Sequence, residues 1–230
     1  MRRRIAALVR HGDYLQLPGT PSAHQPFPLT DKGRTQAIDA ARSLTDMAAK
    51  EEWAIHPVIH CSSLLRGYQT ASLIAENMND AFVLKSHDAL AERGLGSAAN
   101  LTIDDIESIL ASDPRFDTPP PDWKSDSHYR LPLQGAESLM DAGTRVAERI
   151  VEVVSELEAE GDAMIIFVGH GAAFRHAAHR LGVLALDDVA NLGMYHGVPV
   201  AIEASGDGTW TRVAGEWKVR GKAERTVDWE

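Results

Sequence analysis

Ile5-Ala6-Ala7-Leu8-Val9-Arg10-His11-Gly12-Asp13 decides the fold. Five apolar residues run without interruption into an arginine, a histidine and a glycine. The arrangement returns far downstream as Met164-Ile165-Ile166-Phe167-Val168-Gly169-His170-Gly171. Both runs are too short for core helices and both are bounded by glycine, so they read as buried strands. An apolar run with no polar alternation is what a parallel strand covered on both faces looks like. In open sheets of that kind, ligands bind beyond the carboxyl ends of the strands. Two strands that each release a histidine at that edge point to one shared site.

Outward from the first strand, residues 14–29 are rich in Pro and Gly and read as a long loop of the sort that borders a site. Thr30 then caps a helix running to about Lys50, with Asp31 favourable to its dipole and Ala37, Ala41, Leu44 and Ala48 as its apolar stripe. Residues 57–61 form a second strand candidate. Ser62 and Ser63 can cap a helix from Leu64 with Ala71, Ile74 and Met78 facing inward. That puts Arg66 in a first helical turn at the same edge of the sheet. Residues 81–84 read as a short third strand, and 89–94 leave it as a loop carrying Glu92.

From 94 to 134 the pattern changes. Thr102 heads a short helix to Leu110, and the Pro-rich run 117–123 breaks regular structure. Trp123, Tyr129, Leu131 and Leu133 in this span require burial, so it reads as a lid or cap insertion. Its residues 123–130, with Trp123, Lys124, His128, Tyr129 and Arg130, are the candidate specificity region. A helix is expected over 136–160 with Gly161 at its C′ position, then the strand 164–168 and a helix over 172–181. Residues 198–203 and 210–213 read as edge strands joined by the turn at 206–208, the first a candidate for pairing across a homodimer. The tail over 216–230 is charged and poorly patterned. The expectation is one α/β domain over 1–230: a mainly parallel central sheet with helices on both faces, and a lid at about 94–134.

Bulk properties narrow the function. A formal net charge of -10 argues against nonspecific nucleic-acid binding and against attraction to anionic membranes. It leaves room for an anionic small substrate in a local basic pocket. The single cysteine, Cys61, allows no internal disulfide and fits a reducing compartment. The apolar run after Arg2-Arg3-Arg4 is too short for a signal peptide, and no run is long enough for a transmembrane helix. A cytoplasmic protein is expected.

The groups expected at the carboxyl edge are Arg10, His11, Arg66, His170 and Glu92. Two arginines and two histidines make an anion site, because the guanidinium fork matches phosphate oxygens. The helix after Gly171 adds backbone N–H groups at its N-terminus. A neutral imidazole there can attack phosphorus, form a phosphohistidine, and divide one hard displacement into two easier ones. The second histidine and the arginines would stabilise the transferring phosphoryl group, and Glu92 could protonate the leaving oxygen and then activate water. Each group alone has a structural reading; the joint delivery from separate strand ends carries the argument. Asp13, His24, His176 and His179 are assigned structural roles. A metal on His11-Gly12-Asp13 with His170 is disfavoured, since each arginine about 4 Å away would cost a divalent ion several kcal/mol.

At these residues the chain resembles the histidine phosphatase superfamily, in its phosphoglycerate-mutase-like branch. Leu8-Val9-Arg10-His11-Gly12 is similar to the opening nucleophile motif. Leu29-Thr30-Asp31-Lys32-Gly33-Arg34-Thr35-Gln36-Ala37 resembles the family's Leu-Thr-x-x-Gly-x-x-Gln-Ala. The segment from Cys61 through Arg66 to Ala71 resembles the one bearing the second phosphate-binding arginine. Leu90-Ala91-Glu92-Arg93-Gly94 resembles the proton-donor segment, Gly135-Ala136-Glu137-Ser138 the Gly-Gly-Glu-Ser motif, and Val168-Gly169-His170-Gly171 the second histidine motif. The resemblance implies that His11 is the phosphorylated nucleophile. It implies that Arg10, Arg66 and His170 bind the phosphoryl group, that Glu92 is the acid/base, and that no metal or cofactor takes part.

The run Asp13-Tyr14-Leu15-Gln16 stands where mutases of the family carry a Glu-Ser-x-Trp-Asn type sequence. That favours a metal-independent phosphatase acting on a small phosphorylated substrate or a phosphoprotein. Arg93 matches the Glu-Arg pair of mutases, so a phosphoglycerate-mutase-type phosphotransferase is the alternative. A non-catalytic module that binds phosphorylated ligands is the third reading.

Overall fold

The apolar run at the N-terminus forms β1 (Arg4–Arg10), in which every residue after Arg4 is buried. The computed structural model describes residues 2–78, 81–157 and 160–221. Along the chain follow α1 (Asp31–Glu51), β2 (Ala54–Ser62), α2 (Leu65–Glu76), β3 (Val83–His87), α3 (Ile103–Ser112), α4 (Leu139–Ser155), β4 (Ala163–Gly169), α5 (Gly171–Arg180), α6 (Leu186–Asn191), β5 (Leu192–Gly193), β6 (Pro199–Ala204), β7 (Trp210–Ala214) and β8 (Lys218–Val219). Six strands make the main sheet in the order β3-β2-β4-β1-β6-β7. The first four of these are parallel, β6 runs antiparallel to β1, and β7 runs antiparallel to β6. The fold is therefore α/β, with a mixed, mostly parallel sheet.

The two-residue period of the strands divides the core. Ala6, Leu8, Ile165, Phe167, Val200 and Ile202 face α4 and α5, packing on Val146, Ile150, Phe174 and Ala177. Ile5, Ala7, Val9, Met164, Ile166 and Val168 face the other way, onto Ala41 and Leu44 of α1 and Ala71 and Ile74 of α2. Helices thus cover both faces, as the uninterrupted apolar runs require.

Three elements differ in their bounds from the sequence reading. The helix expected from 136 begins at Leu139, because Ser138 is its N-cap: its side chain accepts from the Asp141 N–H while the Asp141 carboxylate accepts from the Ser138 N–H. It ends at Ser155, so Gly161 does not stand at its C′ position. The second helix starts at Leu65, with Leu64 as N-cap and no side-chain cap bond. Ser62 and Ser63 are occupied elsewhere, Ser62 with His170 and Ser63 with Asp88. The third strand lies at 83–87 rather than 81–84 and leaves through a single 3-10 turn at Asp88–Leu90.

Two readings at the C-terminal end are corrected. The strand at 198–203 is not an edge: β6 pairs with β1 on one side and β7 on the other. Its hydrogen-bonding edges are consumed within the chain, so it cannot serve a dimer. The tail, read as poorly patterned, is built into the fold at its start: Trp217 and Arg220 are buried and β8 pairs with β5. Residues 222–230 of that tail lie outside the described residues. No helix among the described residues is long and apolar enough to cross a membrane.

Residues 94–134 gather around an apolar cluster of their own. Leu95, Ala98, Ile106, Leu110, Trp123 and Leu131 pack together with Ala23 from the loop after β1, apart from both sheet faces. Trp123 is buried and donates its indole N–H to Glu107 at 3.0 Å. Thr102 and Asp105 form a capping box at the start of α3.

Candidate active site

The register of β1 on β4 builds the centre of the site. Arg10 pairs with Gly169, so the next residue of each strand, His11 and His170, emerges side by side. The His11 N–H donates to the Gly169 carbonyl at 2.9 Å, and the two imidazole centroids are 5.0 Å apart. His11 Nδ1 lies 2.7 Å from the Gly12 carbonyl. A carbonyl only accepts, so Nδ1 carries the proton and Nε2 holds the lone pair. Arg66 Nε donates to that Nε2 at 3.2 Å. Burial, then the charge of Arg66, holds His11 well below the usual imidazole range, and the same two causes do so for His170. Both rings are therefore neutral near pH 7.

His170 Nε2 and the Ser62 hydroxyl are hydrogen bonded at 2.8 Å. Its other nitrogen, Nδ1, is buried without a hydrogen-bond partner among the described residues. A buried polar atom left unpaired in this way calls for an explanation, and a ligand oxygen supplies one.

Arg66 is fully buried in the first turn of α2. Beyond His11, its guanidinium donates to the Gln25 carbonyl at 3.0 Å and the Ala23 carbonyl at 2.7 Å, and it lies over the Tyr14 ring with 4.5 Å to the centroid. No carboxylate forms an ion pair with it among the described residues. A buried cation held by neutral carbonyls and an aromatic face retains net charge for an anion. Arg10 donates to the Met194 carbonyl at 3.0 Å. Its stem runs beside Gly171 at the start of α5, where a Cβ would come within 3.1 Å of the arginine.

The turn after His11 is held by close backbone approach. A Cβ on Gly12 would stand 2.3 Å from the Gly33 carbonyl oxygen, and one on Gly33 would stand 1.9 Å from that of Asp13. Neither position has room for a side chain. The Gly12 N–H donates to Thr70 at 3.0 Å, and Thr70 donates to the Arg66 carbonyl at 2.7 Å. The loop after His11, α1 and α2 thus meet at one point.

Glu92 follows the 3-10 turn and is buried at the same end of the sheet. One carboxylate oxygen accepts from the Arg93 N–H at 2.9 Å. Glu92, Arg93 and Lys124 share a cavity of about 40 Å³ with Ser22 and Ala23. Of the candidate specificity residues 123–130, only Lys124 lines it. Trp123 packs inward with Tyr129 against it, and Arg130 pairs with Asp141 at 2.7 Å.

His196 and Tyr14 enter the picture unannounced, and His24 joins them from the structural class. His196 Nδ1 lies 2.6 Å from the His11 carbonyl, and its ring centroid is 5.4 Å from that of His11. Tyr14 meets the His11 ring edge-on, also at 5.4 Å. His24, assigned a structural role in the sequence, has Nε2 at 3.0 Å from the Glu92 carbonyl. No local pattern marks these three; their contacts run between distant segments. His176 does fill a structural place, bonded to Ala172 and Ser127, and His179 is bonded to Leu184. The Asp13 carboxylate accepts from the Thr30 hydroxyl at 2.7 Å.

Comparison with known proteins bears on this arrangement. The family model described as "Histidine phosphatase superfamily (branch 1)" matches residues 6–215. Among curated relatives, the 2,3-bisphosphoglycerate-dependent phosphoglycerate mutase of Bartonella bacilliformis is 27% identical, over 90% of this chain and 95% of its own. That of Methylorubrum populi is 26% identical, over 90% of this chain and 92% of its own. Among solved structures, mycobacterial glucosyl-3-phosphoglycerate phosphatase in complex with VO3 is similar at 25% identity and TM-score 0.68, over 94% of this chain and 100% of that one. The alpha-ribazole phosphatase from Shigella flexneri shares the fold at 21% identity and TM-score 0.70, over 91% of this chain and 95% of that one.

Proposed function

The chain belongs to the histidine phosphatase superfamily, branch 1, and on that footing we propose that it is a phosphatase that hydrolyses a small phosphomonoester through a phosphohistidine on His11. In the first step His11 Nε2 attacks phosphorus. The P–N bond forms as the ester P–O bond breaks, and Glu92 gives its proton to the leaving oxygen. In the second step water attacks phosphorus, Glu92 takes a proton from it, the P–N bond breaks, and inorganic phosphate leaves. Arg10, Arg66 and His170 bind the phosphoryl oxygens and stabilise the charge that develops on them.

The observation that carries this reading is the tautomer of His11. Its Nδ1 proton is committed to the Gly12 carbonyl, so the lone pair is on Nε2, beside the guanidinium of Arg66. Brief reaction with a radiolabelled phosphomonoester, quenched in base, tests it. The expected result is a label on the protein that is stable to alkali, labile to acid, and missing from His11→Ala. An unlabelled wild-type protein, or full turnover by His11→Ala, would overturn the proposal.

A second reading, mutase-type transfer to another hydroxyl, is favoured by the names of the curated relatives. It predicts interconversion of monophosphoglycerates faster than phosphate release, with dependence on a bisphosphate primer. Dominant release of phosphate rejects it.

A further inference from the structure

We infer that the part of the substrate beyond its phosphoryl group is a neutral, hydroxyl-bearing moiety, seated in the cavity that His196 and Asp13 line beside His11. The inference rests on the phosphatase reading above and names the class of ester it acts on.

The cavity has a volume of about 410 Å³ and is lined by Arg10, Asp13, Tyr14, Gln16 and His196 with the 17–19 stretch. That is the size of a small-molecule site. It adjoins the nucleophile, because the rings of Tyr14 and His196 each stand 5.4 Å from that of His11. The cavity beside Glu92, at about 40 Å³, holds little more than water.

The polarity of each wall group selects the ligand. His196 Nδ1 faces the His11 carbonyl and so carries the ring proton. Nε2 is then a lone pair, and it makes no hydrogen bond among the described residues. Burial, followed by the charge of Arg10, pushes His196 down to about 3, so the ring stays a neutral acceptor. Asp13 presents a carboxylate with one oxygen bonded to Thr30. Gln16 uses its amide N–H on the Thr20 carbonyl at 3.1 Å, and Tyr14 donates its hydroxyl proton to Ser22 at 2.9 Å. The acceptors lining the cavity are therefore an imidazole nitrogen, a carboxylate oxygen and an amide oxygen.

The cation of the cavity, Arg10, is assigned to the phosphoryl group and already gives one N–H to Met194. Gln16 keeps a second amide N–H, but a ligand that pairs with His196 Nε2 and the Asp13 carboxylate has to bring donors. The hydroxyls of a polyol or sugar do so. A carboxylate brings acceptors alone and a second negative charge beside Asp13, leaving polar groups unpaired in a low-dielectric pocket. Phosphate esters of neutral hydroxylated groups are thus selected over phosphorylated sugar acids.

Two three-carbon esters test this directly. Glycerol 3-phosphate and 3-phosphoglycerate share the ester position and differ at one carbon, hydroxymethyl against carboxylate. The expected kcat/KM for glycerol 3-phosphate is higher by at least about tenfold. Asp13→Asn should shrink that ratio at least about threefold, because it removes the charge and adds a donor. His196→Phe should shrink it too, because it removes the acceptor and keeps the ring. The ratio is read within each variant, so a general loss of activity cancels. A wild-type ratio at or below one, or a ratio that neither substitution moves, overturns the inference. Turnover of p-nitrophenyl phosphate with neither three-carbon ester accepted overturns it as well and leaves the phosphatase reading standing. No turnover of any of the three, with no label on His11, removes both.

Discussion

His24 donates from Nε2 to the backbone carbonyl of Glu92 at 3.0 Å, across 68 residues of sequence. Its chain neighbours Ala23 and Gln25 give their carbonyls to the Arg66 guanidinium. One tripeptide of the Pro/Gly loop therefore holds both Arg66, the proposed phosphate ligand, and the segment that bears Glu92, the proposed acid/base. His24→Ala should lower kcat by about tenfold, the effect of roughly 1.4 kcal/mol of lost positioning, with little change in KM. His24→Gln places an amide N–H where the imidazole N–H was and should recover most of that loss. Equal kcat values for the two variants would show that the contact is incidental.

Arg66→Lys separates charge from shape. Lysine keeps the cation but cannot serve His11 and two carbonyls with a planar fork. The Ala23 and Gln25 carbonyls would be left short of a donor in a buried place, so stability to urea should fall by about 1–3 kcal/mol. KM for the phosphomonoester should rise along with it. An unchanged urea midpoint with unchanged kinetics would mean that the fork is not used.

The pH dependence follows from imidazoles that are held neutral. Burial leads the causes that lower His11 and His170 well below the ordinary imidazole value of 6.5. In the proposed reaction the deprotonated ring is the nucleophile, so the acid limb of kcat/KM should lie below pH 6.5. The same groups link folding to protons. His60 and His176 are pushed down to about 4 and His196 to about 3, each chiefly by burial. Below 6.5 the unfolded chain binds protons that the folded chain refuses. The stability these groups contribute is whole above 6.5 and is lost as pH falls from there through the folded-state values. Each group loses about 1.4 kcal/mol per pH unit in that window. Melting temperatures should hold level from pH 7.5 to about 6.5 and fall from there to pH 5; a flat profile below 6.5 would contradict the buried neutral state.

Gly33 is the position where one methyl group should do most damage. Its Cβ would stand 1.9 Å from the Asp13 carbonyl oxygen, against backbone that cannot swing away as a side chain can. Gly33→Ala should cost about 1–3 kcal/mol of stability and reduce kcat by displacing the loop that carries His11. Gly161→Ala is the control, since a Cβ there meets nothing within 4 Å. Matching thermal shifts for the two variants would sink the claim that Gly33 sets the loop.

Much of the fold is legible in the chain because parallel strands announce themselves. Residues 5–9 and 164–168 are apolar on both faces, and their burial on both faces is what the structure shows. Arg66 and Glu92 were reachable too, since each follows a strand closely enough for the sheet edge to place it. β6 was misread as an edge because a short strand carries no mark of how many neighbours it has. Its place between β1 and β7 is settled by long-range pairing alone. His24 and His196 escaped for a related reason: each bonds to a backbone carbonyl far away in sequence. A side chain that reads another segment's main chain leaves no periodicity and no motif behind. The start of the helix at Leu139 was recoverable, since Ser138 and Asp141 stand at capping-box spacing.

The spacing of His11 and His170 is written in main-chain hydrogen bonds between β1 and β4. No single side-chain replacement can delete those bonds. The cavity beside His11, by contrast, is lined mainly by side chains beyond the strands, over 13–18 and at His196. Inheritance can therefore treat the two separately. If the protein turns over an ester as proposed, mutations accumulating in the loops can retarget it to a new one without retuning its reaction, and a lineage can change what it consumes while keeping how it consumes it.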